Sequence, residues 1–95
     1  MNYLEIYKDQ TILVTGGAGA IGSNLSRSLA EAGAAKVIIL DDLSASYKWN
    51  IPNLPNVLFV EGSITNDVDL KRVFHEKPTY IFHLAAFFAN QNSVD

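Results

Sequence analysis

Four short apolar runs punctuate the 95-residue chain: Thr11-Ile12-Leu13-Val14, Lys36-Val37-Ile38-Ile39-Leu40, Val57-Leu58-Phe59-Val60 and Tyr80-Ile81-Phe82-His83-Leu84. Each is largely β-branched or aromatic and lacks polar alternation, the pattern of a strand buried on both faces. Between the first two, Ile21, Leu25, Leu29 and Ala32 recur at helical spacing, with Asn24, Arg27 and Glu31 on the other side. That predicts an amphipathic helix, ended by Gly33 in the left-handed conformation. Between the last two, Asn66 is placed to cap a second helix, with Asp67 and Asp69 in its positive first turn. Leu70, Val73 and Phe74 form its inner stripe, and Pro78 stops it. Lys71, Arg72, His75 and Lys77 gather toward its negative end, where they complement the dipole and stay solvated.

The remaining stretches are irregular. Residues 1–10 show no clear period, and Tyr3, Leu4, Ile6 and Tyr7 are expected to cover one edge of the sheet as a loose turn or short helix. From Leu43 to Asn56, Pro52, Pro55 and three asparagines argue against a long helix, leaving room for one turn over Tyr47–Ile51. Strands separated by crossovers imply a parallel sheet with right-handed connections. The fold class is therefore α/β, the N-terminal half of a Rossmann-type doubly wound parallel sheet with strand order 3-2-1-4. Residues 1–95 form this one portion. Its topological switch point lies between the first and fourth strands, where a crevice would be bordered by the residues after each.

Composition narrows the chemistry. A net charge of −3 and 48% hydrophobic residues describe an ordinary globular chain. No strongly basic surface is available for nucleic acid. The absence of cysteine excludes disulfides and thiolate metal sites and fits a reducing, cytoplasmic location. No apolar run approaches the roughly 18 residues of a membrane span, and the first ten residues, with Glu5 and Asp9, do not read as a secretory signal.

The crevice falls on Thr15-Gly16-Gly17-Ala18-Gly19-Ala20-Ile21-Gly22, between the first strand and the first helix. A tight turn there needs a residue without Cβ, and a phosphate reaches backbone N–H groups only where no side chain intervenes. The helix adds unpaired N–H groups and the positive end of its dipole. Gly16, Gly19 and Gly22 fit this need, with Gly22 letting helix and strand lie close. Gly17 to Gly22 has the first spacing of a P-loop, but Ser23-Asn24 follows, so the phosphate-gripping lysine is missing and an ATPase or GTPase is disfavoured. A dinucleotide fold instead wants a carboxylate about 20 residues on, at the end of the second strand, for the adenosine ribose. Asp41-Asp42 stands there.

These residues resemble the extended short-chain dehydrogenases, in particular the NAD-dependent epimerase/dehydratase family acting on nucleotide sugars. The likeness rests on Thr15–Gly22, Asp41-Asp42-Leu43-Ser44, Glu61-Gly62-Ser63-Ile64 and Phe82-His83-Leu84-Ala85-Ala86, and it runs from about Thr11 to Ser93. The resemblance implies NAD as cofactor and a nucleotide sugar as substrate of the whole protein. It implies that Gly16, Gly19 and Gly22 surround the pyrophosphate, that Ala20 and Ile21 supply N–H groups, and that Asp41 meets the ribose. It further implies that Leu84, Ala85 and Ala86 let the cofactor lie against the fourth strand. Ser63 stands where the family usually has an aspartate on the adenine amine, so the Ser63 hydroxyl or the Ile64 backbone would replace that carboxylate. His83, inside the strand pattern, is expected to be structural. NAD is expected over NADP, because a 2′-phosphate would face Asp41 with no arginine immediately after it.

The same family uses a Tyr-x-x-x-Lys pair, and none of Tyr3, Tyr7, Tyr47 and Tyr80 has lysine four residues later. No catalytic residue is assigned, and the chain is expected to be the inactive N-terminal part of a longer enzyme. The competing readings are a free-standing, non-catalytic dinucleotide-binding module and an NADP-dependent reductase of the same fold. A fourth strand without its neighbour leaves its outer edge from Tyr80 to Leu84 unpaired and Ile81, Phe82, Phe87 and Phe88 uncovered, in a stretch from Tyr80 to Ser93 that holds no lysine, arginine, aspartate or glutamate. Self-association of the isolated piece is expected from it.

Overall fold

Residues 3–44 and 47–84 are described by a computed structural model. Four strands, β1 (Thr11–Thr15), β2 (Lys36–Asp41), β3 (Val57–Glu61) and β4 (Tyr80–His83), pair in parallel in the order β3-β2-β1-β4. This is the expected order. In register, Thr15 stands between Leu40 and His83, and Asp41 stands beside Glu61. The first three strands each run one residue further than the apolar runs suggest, and β4 stops one residue short, at His83.

Alternation along the strands divides the core in two. On one face Ile12, Val14, Val37 and Ile39 pack under Leu29 and Ala30 of helix α1 (Ala20–Glu31), with Phe59 and Phe82 at the margins. On the other, Leu13, Ile38, Leu40 and Val60 pack under Val73 of helix α2 (Asp67–Phe74). Both faces of β1 and β2 are covered, which is why those strands read as continuous apolar runs.

The inner stripe of α1 is shifted from the expected one. Gly22, Ser26, Leu29 and Ala30 are buried, whereas Ile21 is 75% exposed. The first turn of α1 projects past the strand ends, where Ile21 has no sheet beneath it and Gly22 makes the close contact instead. Phe74 is likewise 46% exposed at the last residue of α2, so Val73 and Leu70 carry that contact without it. Helix α2 ends four residues before Pro78, through a turn in which Lys77 takes a φ of +57°.

Other local expectations hold. Gly33, at φ +102°, closes α1: its N–H donates to the Ala30 carbonyl, and the Ala34 N–H donates to Leu29. These two bonds make a Schellman motif. The Asn66 side chain accepts from the Asp69 N–H as an N-cap. A 3₁₀ turn over Tyr3–Tyr7 lays Tyr7 edge-on against Tyr80 and Phe82, at 4.9 and 5.5 Å between ring centroids. Tyr7 thereby leaves Phe82 only half-exposed, less open than the sequence suggests, while Ile81 remains 51% exposed. Phe87 and Phe88 lie outside the described residues. A second 3₁₀ turn, Lys48–Asn50, falls inside the crossover where one helical turn is expected. Among the described residues, no helix is long and apolar enough to cross a membrane.

Candidate functional site

The C-terminal ends of all four strands deliver the chain to one edge of the sheet. There the ladder continues by one bond at three places: the Gly16 N–H donates to Leu40, Gly62 to Asp41 and Leu84 to Thr15, at 2.8, 3.1 and 2.9 Å. The residues that follow the strands are thereby pinned before the loops diverge.

At the centre is the glycine turn. Gly16 adopts φ +76°, a conformation that costs a residue with Cβ about 1 kcal/mol or more. The Gly19 N–H closes the turn onto the Gly16 carbonyl at 3.2 Å. Gly22 is pressed against the turn: a Cβ there would lie 2.3 Å from the Gly16 oxygen and 2.7 Å from Gly17 Cα. Gly17 is confined too, by the Ile39 side chain at 2.7 Å rather than by backbone. Gly19 is different. A Cβ on it would meet only the Gly16 oxygen, at 3.5 Å, and would otherwise stand in open space. Gly19 is also the N-cap of α1 and supplies no capping side chain. The N–H groups of Ala20, Ile21 and Gly22, with no acceptor inside the helix, thus stand at the positive end of the dipole beside an open patch. That arrangement suits an anion with several acceptor oxygens.

Asp41, at the end of β2, is buried, and its carboxylate faces this turn. Its Oδ2 accepts from the Ala18 N–H at 3.0 Å and its Oδ1 from the Leu43 N–H at 2.7 Å. Sequence reasoning assigns Asp41 only to a ribose; its grip on the turn is an additional role. Asp42 is exposed and turns outward, where the Ser44 hydroxyl and N–H hold its carboxyl below the usual carboxylate range. A further residue was not anticipated: the Asn50 Nδ2 donates to the Ala18 carbonyl at 3.1 Å. Three asparagines in a proline-broken crossover signal turns, and nothing in their spacing separates Asn50 from the others.

The remaining candidates surround this centre. Ser63, one residue past Gly62, donates its N–H to Asp69 Oδ2 at 3.0 Å, and its hydroxyl lies 2.8 Å from the Thr65 hydroxyl. The Ser63 side chain is therefore engaged within its own loop. Ile64 packs its side chain against the α2-side core, leaving its backbone as the polar part of this position. His83 Nδ1 is 2.8 Å from Thr15 Oγ1, a bond across the β1–β4 pair that agrees with a structural role. Leu84 is exposed beyond it, and Ala85 and Ala86 lie outside the described residues. Among the described residues no cluster of His, Asp and Glu is gathered as a metal site. What the edge offers among the described residues is one buried carboxylate and a row of backbone donors.

Comparison with known proteins agrees with this geometry. Residues 12–95 match the model of the NAD dependent epimerase/dehydratase family. The chain is 41% identical over 92 residues to a dTDP-D-glucose 4,6-dehydratase from Dictyostelium discoideum, covering 88% of this chain and 21% of that protein. Among solved structures, the epimerase Mth375 from Methanothermobacter thermautotrophicus superposes with a TM-score of 0.88 at 62% identity, over 97% of this chain and 27% of that one. The enzyme WbmF from Bordetella bronchiseptica, solved in complex with NAD+ and UDP, gives a TM-score of 0.79 at 38% identity, over 87% of this chain and 25% of that one. The chain thus spans about a quarter of the length of the relatives it matches. With its sheet order, its glycine turn and its carboxylate at the end of β2 all in place, the chain belongs to the NAD dependent epimerase/dehydratase family.

Proposed function

We propose that this chain holds the adenosine and pyrophosphate of NAD at the C-terminal edge of its sheet, within a protein that epimerises or dehydrates a nucleotide sugar. The observation that carries the proposal is the seating of α1 on the glycine turn through Gly22. It sets three uncapped N–H groups beside open space, with the Asp41 carboxylate bonded into the same turn. Gly16, Gly19, Ala20, Ile21 and Gly22 would receive the pyrophosphate and Asp41 the ribose hydroxyls. Ser63 and the Ile64 backbone would flank the adenine, and Leu84, Ala85 and Ala86 would lie along the cofactor. NAD, when bound, supplies a transient hydride acceptor for a sugar carbon that bears a hydroxyl. This chain's own residues contribute binding, orientation and the fixed positive field of a helix end, and no tyrosine–lysine pair for proton transfer is present in its 95 residues. The chain alone is accordingly inactive. Its β4 edge, outermost among the described strands and with Tyr80 and Ile81 exposed, would favour self-association when it is isolated.

Calorimetric titration tests the reading. ADP-ribose should bind with most of the affinity of NAD, because every contact assigned here falls on the ADP half. Nicotinamide mononucleotide should not bind measurably to the same residues. Failure of ADP-ribose to bind would overturn the assignment.

A further inference from the structure

We propose that Asn50 is a positioning residue for the pyrophosphate-binding turn and acts through the Ala18 peptide; the proposal rests on the nucleotide reading above. Ala18 is fully buried, and both polar groups flanking its Cα are held by side chains from elsewhere in the chain. Its N–H donates to Asp41 at 3.0 Å, and its carbonyl accepts from Asn50 at 3.1 Å. That carbonyl belongs to the same peptide plane as the Gly19 N–H, which closes onto Gly16 at 3.2 Å. A peptide unit is planar, so fixing its oxygen fixes the direction of its N–H. Asn50 therefore sets the orientation of the link by which the turn enters α1, immediately ahead of the N–H groups assigned to the anion.

Asn50 can do this because its own place is fixed. The 3₁₀ turn over Lys48–Asn50 is closed by bonds from Asn50 to the Tyr47 carbonyl and from Ile51 to Lys48. The next residues, Ile51 and Leu54, pack against the α1-side core. The anchor faces inward, while Tyr47 and Trp49 stack on each other at 4.5 Å on the solvent side of the same turn. Only a donor meets the need at Asn50. An aspartate has the same shape but presents an oxygen to the Ala18 oxygen, turning a hydrogen bond into a repulsion.

Titrations of ADP-ribose and of adenosine into the protein expressed from its complete reading frame distinguish the possibilities, using wild type, Asn50→Ala and Asn50→Asp. Loss of one hydrogen bond that orients the donors predicts ADP-ribose binding weakened about fivefold in Asn50→Ala, and more in Asn50→Asp. Adenosine affinity should change less than about twofold in both, because the Leu43 N–H still holds the Asp41 carboxylate. The ratio of the two affinities separates positioning from a general loss of structure, which would weaken both ligands alike. Unchanged ADP-ribose binding in both variants, or an equal loss for adenosine, overturns the proposal. Absence of ADP-ribose binding in the wild type overturns the nucleotide reading itself and is visible before any variant is made.

Discussion

Gly22→Ala is the substitution that most directly probes how α1 is seated. The added methyl carbon would lie 2.3 Å from the Gly16 oxygen, 2.7 Å from Gly17 Cα and 3.0 Å from the Gly16 carbonyl carbon. The nearest of these is about 1 Å inside ordinary contact. All three neighbours are backbone, so no side chain can swing away, and the helix must lift from the turn. Overpacking of this kind costs about 1–3 kcal/mol, and the better helix propensity of alanine returns about 1 kcal/mol. With backbone on every side the clash falls at the upper end of that range, so the net loss of stability is about 2 kcal/mol. Lifting the helix also separates its donors from the turn, and loss of a single charge-assisted bond of about 1.5 kcal/mol already weakens ADP-ribose more than tenfold. Gly19→Ala is the matched control. Its methyl would meet one atom at 3.5 Å, and its φ of −75° suits any residue. Stability should fall by only about 0.5 kcal/mol for the poorer N-cap, while the methyl occupies the open side of the turn and ADP-ribose binding drops at least as far. Urea midpoints and calorimetry on the two variants give a two-by-two answer. A wild-type midpoint in Gly22→Ala, or wild-type ADP-ribose affinity in Gly19→Ala, would refute this account of the turn.

NAD should bind more tightly than NADP, since the 2′-phosphate would meet the Asp41 carboxylate; equal affinities by calorimetry, or Asp41→Ala binding NAD as the wild type does, would remove that claim. Among the described residues the fully buried Ser26 hydroxyl has no hydrogen-bond partner, so Ser26→Ala should raise stability by about 1 kcal/mol in urea unfolding, and a loss would mean the hydroxyl is paired. Glu76 lies 2.6 Å from Lys36, whose hydrogen bond and charge lower its pKa from 4.5. A lowered folded pKa contributes stability above the unfolded value and loses it as pH falls through the folded one. Glu76→Gln should therefore flatten the acid limb of the stability curve below about pH 4.5 and leave its slope at neutral pH unchanged, as followed by thermal melts.

The sheet was legible because its evidence is local and repeated. Continuous apolar runs identify β1 and β2 as strands with helices on both faces, and crossovers of this length admit little but a parallel order. The glycine turn was legible because Gly16 and Gly22 answer a backbone requirement that no other residue meets. Ile21 and Phe74 misled because periodicity marks the faces of a helix but not where the supporting sheet stops. The two side chains on Ala18 were hidden for a different reason. Asp41 reads as a ligand carboxylate and Asn50 as a turn former, and their joint hold on one residue, Ala18, exists only after two crossovers bring them together. Ser63 shows the limit of substitution logic, since its hydroxyl is engaged with Thr65 in its own loop.

The position of β1 in the middle of the sheet has a consequence for the order in which the protein is made. Thr11 pairs with Lys36, a nearby partner, but the bond from Thr15 to His83 joins residues 68 apart. Closing the longer loop costs more chain entropy, and His83 leaves the ribosome on the order of 3–14 s after Thr15 at ordinary synthesis rates. During that interval β1, β2 and β3 can assemble around α1 with one flank of β1 still bare. The dinucleotide site proposed above reaches that flank through Leu84, so that side of it would be the last to be completed. A nascent chain stalled before Tyr80 would carry a finished glycine turn and Asp41 but not the Leu84 side of the proposed site.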